Sequence, residues 1–310
     1  MSDYHLHLHP HEPTPDGPPP GAYPVEYLER YVETAAKRGV TELAFTEHLG
    51  RCVESAGVLG PFWELEPDPV EQERTRALVA QDRNLSLERF VDVVLRAKDR
   101  GLPVLLGLEV DFFPHTIDAV MEFLAPYPWD LLVGAVHFIG GWTFDRTWAR
   151  EPFLRRGARR VWEEYFDLSA RLASSGHLDV LAHPDRIKLH GFRPPDEPLD
   201  LYERLVAAAA AGDTAFEVSS AGLRKPVDEV YPAPTLLRMG REAGLAITLA
   251  SDYHTPDGAG WGHGAVVAAA RAAGYTQRAA FASRQRTLVA LPEFPAGAPA
   301  DQTQPGARRP

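Results

Sequence analysis

Five times along this chain, a stretch with apolar residues at helical spacing stops at a glycine and gives way to a short apolar run with polar residues at its end. Val25, Leu28, Val32, Ala35 and Ala36 predict a helix over 24–38, closed by Gly39 and followed by TELAFTEH. SLERFVDVVLRAKDR, stopped by Gly101, leads to LPVLLGLEVD. A helix over 162–174, stopped by Gly176, leads to LDVLAHPD, and an alanine-rich helix ending near Gly212 leads to TAFEVSS. Leu236 to Glu242, stopped by Gly244, leads to LAITLASDYH. With WDLLVGAVHF and the N-terminal DYHLH, seven short strands are expected, most of them separated by helices.

Strands apolar on both faces belong in a parallel sheet covered by helices, so the class is α/β. An open doubly wound sheet and a closed barrel both fit the alternation. The barrel is preferred, because each strand places its polar residues at the same end, where barrel enzymes build their sites. One barrel domain over 1–291 is expected. Segments 49–85 and 141–160 break the rhythm and would form a lid or rim, the second rich in Trp and Arg. Pro13 to Gly21 (PTPDGPPPG) reads as a stiff irregular loop, and 292–310, rich in Pro, Ala and Gln, as a disordered tail.

The polar residues at the strand ends are His5, His7, His48, Glu109, His137, His183, Glu217, Asp252 and His254. Any one histidine of this kind is more often a cap or a hydrogen-bonded core residue than a ligand. Brought to one end of a barrel, however, so many imidazoles and carboxylates would be poorly satisfied without a cation. They predict a multinuclear metal site of N and O donors suited to Zn, Mn or Fe(II). The one cysteine, Cys52, rules out an intramolecular disulfide and a thiolate cluster. A formal net charge of -11 argues against a nucleic-acid partner. With no apolar run of membrane length and no signal-peptide order, a cytoplasmic location is expected. The oligomeric state is not legible.

The ordered motifs DYHLH (3–7), FTEH (45–48), GLEVD (107–111), AVHFI (135–139), LAHPDRIK (181–188), FEVSSAGLRK (216–225) and SDYH (251–254) resemble the polymerase-and-histidinol-phosphatase (PHP) family over about 3–290. AVHFI, HPDRIK and EVSSAGLRK are most similar to its histidinol-phosphatase branch, although SSAG stands where Asn-Thr-Ser-Gly is commoner. The resemblance implies a distorted (β/α)7 barrel with three divalent metal ions at the strand C-termini. The first ion would take His5, His7, Glu109 and Asp252. Glu109 would bridge to a second held by His137 and His183. The third would take His48, His254 and one more N-terminal histidine.

That last ligand departs from the family pattern, in which it follows the second histidine by about six residues; here that position is Pro13. An extended strand rises about 3.3 Å per residue, so His5 and His11 would lie roughly 20 Å apart unless the chain bends. Pro10 makes such a bend credible, so His11 is preferred and His9 is the alternative, the one left over being a rim or outer histidine. By the same resemblance Lys188 and Arg224 would bind phosphate, with Arg186 and Lys225 as neighbours able to do so. Glu217 would orient a ligand, contact a substrate amine or be a buried structural carboxylate. The trio Trp142, Trp148 and Trp162 could reshape the pocket.

The activity implied is metal-dependent hydrolysis of a small phosphate ester, L-histidinol phosphate, by attack of a metal-bridging hydroxide. Glu109, Asp252 and His254 would be the catalytic residues. The alternatives are a phosphodiesterase or exonuclease of the same family, a phosphatase acting on nucleotides or another metabolite, and a metal-loaded module without activity.

Overall fold

Eleven strands occur among the described residues: β1 (Ser2–Leu6), β2 (Glu42–Phe45), β3 (Val104–Asp111), β4 (Leu131–Ala135), β5 (Phe138–Ile139), β6 (Trp142–Thr143), β7 (Val180–Leu181), β8 (Ala215–Ser219), β9 (Ile247–Ala250), β10 (Gln277–Ala282) and β11 (Gln285–Ala290). The computed structural model describes residues 1–11, 17–19 and 21–292. The expected tail, beyond Pro292, and most of the expected loop from Pro13 lie outside the described residues.

Seven strands pair in parallel in the order β1-β2-β3-β4-β7-β8-β9. The sheet closes on itself: the His7 N–H donates to the Tyr253 carbonyl and the Asp252 N–H to the His5 carbonyl, both at 2.9 Å. The result is the expected TIM-like barrel. Between the strands run helices Val25–Lys37, Leu87–Asp99, Ile117–Leu124, Ala158–Ser174, Leu199–Ala211 and Pro234–Glu242. The glycine stops behave as expected, with positive φ at Gly39, Gly101, Gly176 and Gly244. Gly212 is required for another reason, since a Cβ there would lie 1.9 Å from the Ala173 carbonyl oxygen.

Side chains two apart on a strand share a face, and this parity builds the site. Leu43, Phe45, Leu106, Leu108, Val110, Phe216, Val218, Ile247 and Leu249 face outward into the core shared with the helices. Ala44, Leu131, Val133, Ala135, Val180, Ala182 and Ala215 pack together inside with Tyr4. Each buried Val, Leu or Phe contributes about 1.5–3 kcal/mol. Followed upward, the inner rows leave apolar chemistry: Gly107 leads to Glu109 and Asp111, Ala135 to His137, Ala215 to Glu217, and Ala250 to Asp252. The register of β1 on β2 shifts between Asp3 and Leu6, which lets Tyr4 and then His5 and His7 all face inward.

Two features differ from the sequence expectation. The antiparallel hairpin β10–β11 was not anticipated; its Ala279 and Phe281 join the inner cluster at the barrel's N-terminal end. Arg284 at its tip holds Asp179 at 2.9 Å, and its N–H donates to the Asp130 carbonyl. The tryptophans do not shape the pocket. Trp142 and Trp162 are fully buried in the core, Trp162 donating to the Phe192 carbonyl, and Trp148 packs beneath Arg74.

Segment 49–85 forms short turns and helix Pro69–Asp82, capped by Asp68, whose Oδ1 accepts the Val70 N–H at 2.9 Å. Segment 141–160 carries β6 and helix Arg150–Arg156. The two pack on each other. A Cβ at Gly141 would lie 2.5 Å from the Trp63 carbonyl oxygen, and Arg156 reaches Glu66 at 2.6 Å. Among the described residues, no helix is long and apolar enough to cross a membrane.

Candidate metal centre

Glu109 is 1% exposed at the end of β3, with imidazoles on both of its oxygens. Oε1 lies 3.2 Å from His183 Nε2 and 3.5 Å from His137 Nε2. Oε2 lies 2.7 Å from His48 Nδ1, 3.4 Å from His5 Nε2 and 3.6 Å from His7 Nε2. Asp252 Oδ1 completes the His5–His7 side at 3.8 and 3.4 Å. Four sets have ligand atoms within 4.8 Å of one another: His5, His7 and Asp252; His5, Glu109 and His183; His48, Glu109 and His137; His7, His48 and His254.

Carboxylates hold the far side of several rings. Glu217 Oε2 lies 2.6 Å from His5 Nδ1, and Asp111 Oδ1 lies 2.8 Å from His137 Nδ1. Glu47 lies 3.5 Å from His7 Nδ1 and accepts the backbone N–H groups of Leu8, His9 and His48. Such outer carboxylates set the tautomer and aim of metal-binding imidazoles. Glu217 thus takes the orienting role among its alternatives, its other oxygen accepting the His183 N–H. Glu47 and Asp111 were not singled out from sequence. For Asp111 the signal existed: it lies two residues beyond Glu109 and shares its face.

Nε2 of His5, His7, His48 and His254, Nδ1 of His183 and Oε2 of Glu109 are buried with no hydrogen-bond partner. So dense a set of orphaned donor atoms fits divalent cations. Burial, then the neighbouring His7, pushes the His48 imidazole down to about 3. Burial and His7 likewise hold His254 well below the usual range. Burial works against ionising Glu109, but His5, His48 and His137 outweigh it and keep the carboxyl well below its ordinary value. The anionic Glu109 and the neutral His48 and His254 are in the protonation states that metal binding needs. Against burial, the neighbouring carboxylates raise His5, His7 and His137 above the usual imidazole value, so a cation would take the place of their protons. Two residues here carry backbone strain, with φ of 28° at His183 and 53° at Asp252.

Neither His9 nor His11 belongs to one of those four sets, and the two lie in different surroundings. His11's ring lies 5.1 Å from that of His254 and 5.5 Å from that of His48. His9 is 2% exposed, with its ring edge-on to Tyr23 at 5.0 Å, so it is a core residue and not on the rim. The bend at Pro10 is gripped by Arg51, which donates to the carbonyls of His9 at 2.7 Å and Pro10 at 3.1 Å.

The two expected phosphate ligands, Lys188 and Arg224, lie off the cavity wall. The Lys188 side chain is fully buried, its ammonium held by Asp185 at 2.9 Å, Glu229 at 3.2 Å and the Val230 carbonyl at 3.1 Å. Arg224 donates to the carbonyls of Ser251 at 2.7 Å and Asp252 at 2.9 Å, with Tyr253 and Trp261 against its guanidinium. Neither lines the cavity over the centre; Arg186 does, 3.1 Å from both Asp252 Oδ2 and Asp145 Oδ2. Removing Arg224 strips two carbonyls of a charged donor beside the strained Asp252. Arg224→Ala is therefore expected to destabilise the chain by about 2–3 kcal/mol and to lower kcat more than it raises KM. Denaturant unfolding and steady-state kinetics check this; unchanged stability with a raised KM would return Arg224 to the phosphate.

The cavity measures about 670 Å³ including its open mouth, and both inserted segments wall it: Phe62, Val79 and Asp82 from one, Thr143, Asp145 and Arg146 from the other.

Comparison with known proteins places the chain among relatives of one family. The chain is 32% identical over 231 residues to a Deinococcus radiodurans protein named "Probable histidinol-phosphatase", covering 74% of this chain and 81% of that one. It is 24% identical over 260 residues to the histidinol-phosphatase of Bacillus subtilis, covering 76% and 90%. The crystal structure of histidinol phosphate phosphatase from Lactococcus lactis, complexed with zinc, L-histidinol and phosphate, superposes with a TM-score of 0.60 at 17% identity, covering 92% of this chain and 98% of that one, a likeness of fold. The PHP domain model matches residues 5–221, spanning the strands that carry His5 through Glu217, and the chain belongs to the PHP domain family.

Proposed function

We propose that the chain is a divalent-metal-dependent phosphomonoesterase with L-histidinol phosphate as substrate, releasing L-histidinol and phosphate. The observation that carries this reading is Glu109, whose two oxygens face separate groups of imidazoles, His183 and His137 on one side and His5, His7 and His48 on the other, the last three with orphaned Nε2 atoms. Three ions are assigned, of Zn, Mn or Fe. His5, His7, Glu109 and Asp252 would hold the first, Glu109, His137 and His183 the second, and His48, His254 and His11 the third. Bound there, the ions would supply Lewis acidity towards the phosphate and a strong nucleophile at neutral pH.

The protein's own groups account for the rest. Arg186 replaces Lys188 and Arg224 as the phosphate donor, since its planar fork is held on the cavity wall by two carboxylates. Asp252 would ligate the first ion and also anchors that fork, while Glu109 and His254 would complete the catalytic set. Towards the mouth, Asp82 and Asp145 and the rings of Phe62 and Phe138 suit a leaving alcohol that carries an ammonium and an imidazole. The inserted segments act as the rim that limits the site to small molecules.

Phosphate release from histidinol phosphate, nucleoside monophosphates and a short single-stranded DNA should be compared, with elemental analysis of the same sample. At least tenfold higher kcat/KM on histidinol phosphate is expected. Preference for the DNA would overturn the reading, as would full metal occupancy without turnover.

A further inference from the structure

A run of charges of alternating sign crosses the cavity from the barrel to its insertions. Arg186 joins Asp252 to Asp145, 3.1 Å from each. Arg146 follows, with Nε 3.8 Å from Asp145 Oδ1 and Nη2 3.0 Å from Asp82 Oδ2. The same Asp82 oxygen lies 3.2 Å from His11 Nδ1. The run therefore starts on one residue assigned to a metal and ends on another, and all six line the cavity.

Its last link repeats the construction seen at His5–Glu217 and His137–Asp111, where a carboxylate takes one ring nitrogen and leaves the other for a cation. Those two carboxylates stand on barrel strands. Asp82 instead closes the inserted helix Pro69–Asp82, and Arg146 belongs to the other insertion. His11 needs such a hold, because it follows the bend at Pro10 and lies on no strand or helix that would fix its ring.

We infer that Asp82, set in place by Arg146, is the positioning residue for His11, so that the two insertions complete the third ion's site. The inference rests on the three-ion reading above. An Asp82 carboxylate fixes the tautomer with the proton on Nδ1, which leaves the Nε2 lone pair free to bind. Arg146 holds that carboxylate in place and balances its charge, so the packing of one insertion on the other contributes to the third ion's site.

The test is titration of the metal-stripped full chain with Zn²⁺ alone, followed by calorimetry and elemental analysis. The wild-type chain should take up three equivalents. In Asp82→Asn the weakest class should bind about 10–100-fold less tightly, with the other two unchanged. Arg146→Ala should move the same class in the same direction by less, and Asp82→Glu should lie closer to wild type than Asp82→Asn. Wild-type affinity for all three ions in Asp82→Asn would overturn the inference. So would equal losses in Asp82→Asn and Asp82→Glu, because the effect would then be packing. If Asp82→Asn does not fold, Arg146→Ala decides: undiminished third-ion affinity there overturns it. A wild-type chain that binds only two ions overturns this inference while the phosphoesterase reading stands, and one that binds none removes both.

Discussion

Glu109→Gln is expected to lower kcat by about 10³-fold or more, roughly 4 kcal/mol of transition-state stabilisation, while the barrel stays folded. Glutamine keeps the shape but presents one neutral oxygen and one NH₂ group. The oxygen could serve His183 and His137 or His5, His7 and His48, but not both groups. The NH₂ would aim donors at imidazole nitrogens that must themselves be electron-pair donors to a cation. Metal content should fall together with turnover. The fold should persist because Leu108 and Val110 on β3 keep their outward packing, and a neutral side chain escapes the desolvation cost of a carboxylate at 1% exposure. Circular dichroism, elemental analysis and kinetics on one preparation check all three statements. Wild-type turnover would contradict the bridging role.

Removal of Arg186 should act on stability and on substrate together. Its side chain is 11% exposed, and its two outer nitrogens each lie 3.1 Å from a carboxylate. Arg186→Ala leaves Asp145 and Asp252 without that partner in a buried setting, a loss of about 3–5 kcal/mol. Asp145 retains Arg146 at 3.8 Å, so the lower end of that range is expected. On substrate, loss of a bidentate donor should cut kcat/KM by roughly 10²-fold, about 2.7 kcal/mol, and weaken inhibition by inorganic phosphate. Arg186→Lys restores a charge but not the fork, and should recover stability more fully than kcat/KM. Unchanged phosphate inhibition in Arg186→Ala would remove it from the phosphate site.

The barrel strands were legible because burial on both faces leaves a continuous apolar run, and the helix stops because a left-handed position selects glycine. The hairpin β10–β11 was not. Its reversal runs through Ser283 and Arg284 with φ of 48° and 61°, without the Asn-Gly or Asp-Gly that usually marks such a turn. The metal-ligand candidates were legible because they continue strand parity, so Glu109, His137 and Asp252 follow from the inner rows of β3, β4 and β9. The proposed phosphate donor moves from Lys188 to Arg186 for a geometric reason. Arg186 and Lys188 share one 3₁₀ turn, in which successive side chains lie about 120° apart, so they cannot both face the cavity.

By itself, then, the sequence determined the α/β alternation of a parallel sheet, the strand ends that carry the site and the donor types gathered there. Those properties depend on local periodicity: period two along strands, helical spacing between them. Only the tertiary structure decided which cation lines the cavity, that His9 belongs to the core, and that Asp82 from an insertion holds His11. In turns and loops a side chain's direction is set by partners distant in sequence. Glu229 draws Lys188 inward from 41 residues away, and Asp82 meets His11 across 71. No local pattern encodes such pairs, because the energy that selects them exists only once the chain has folded.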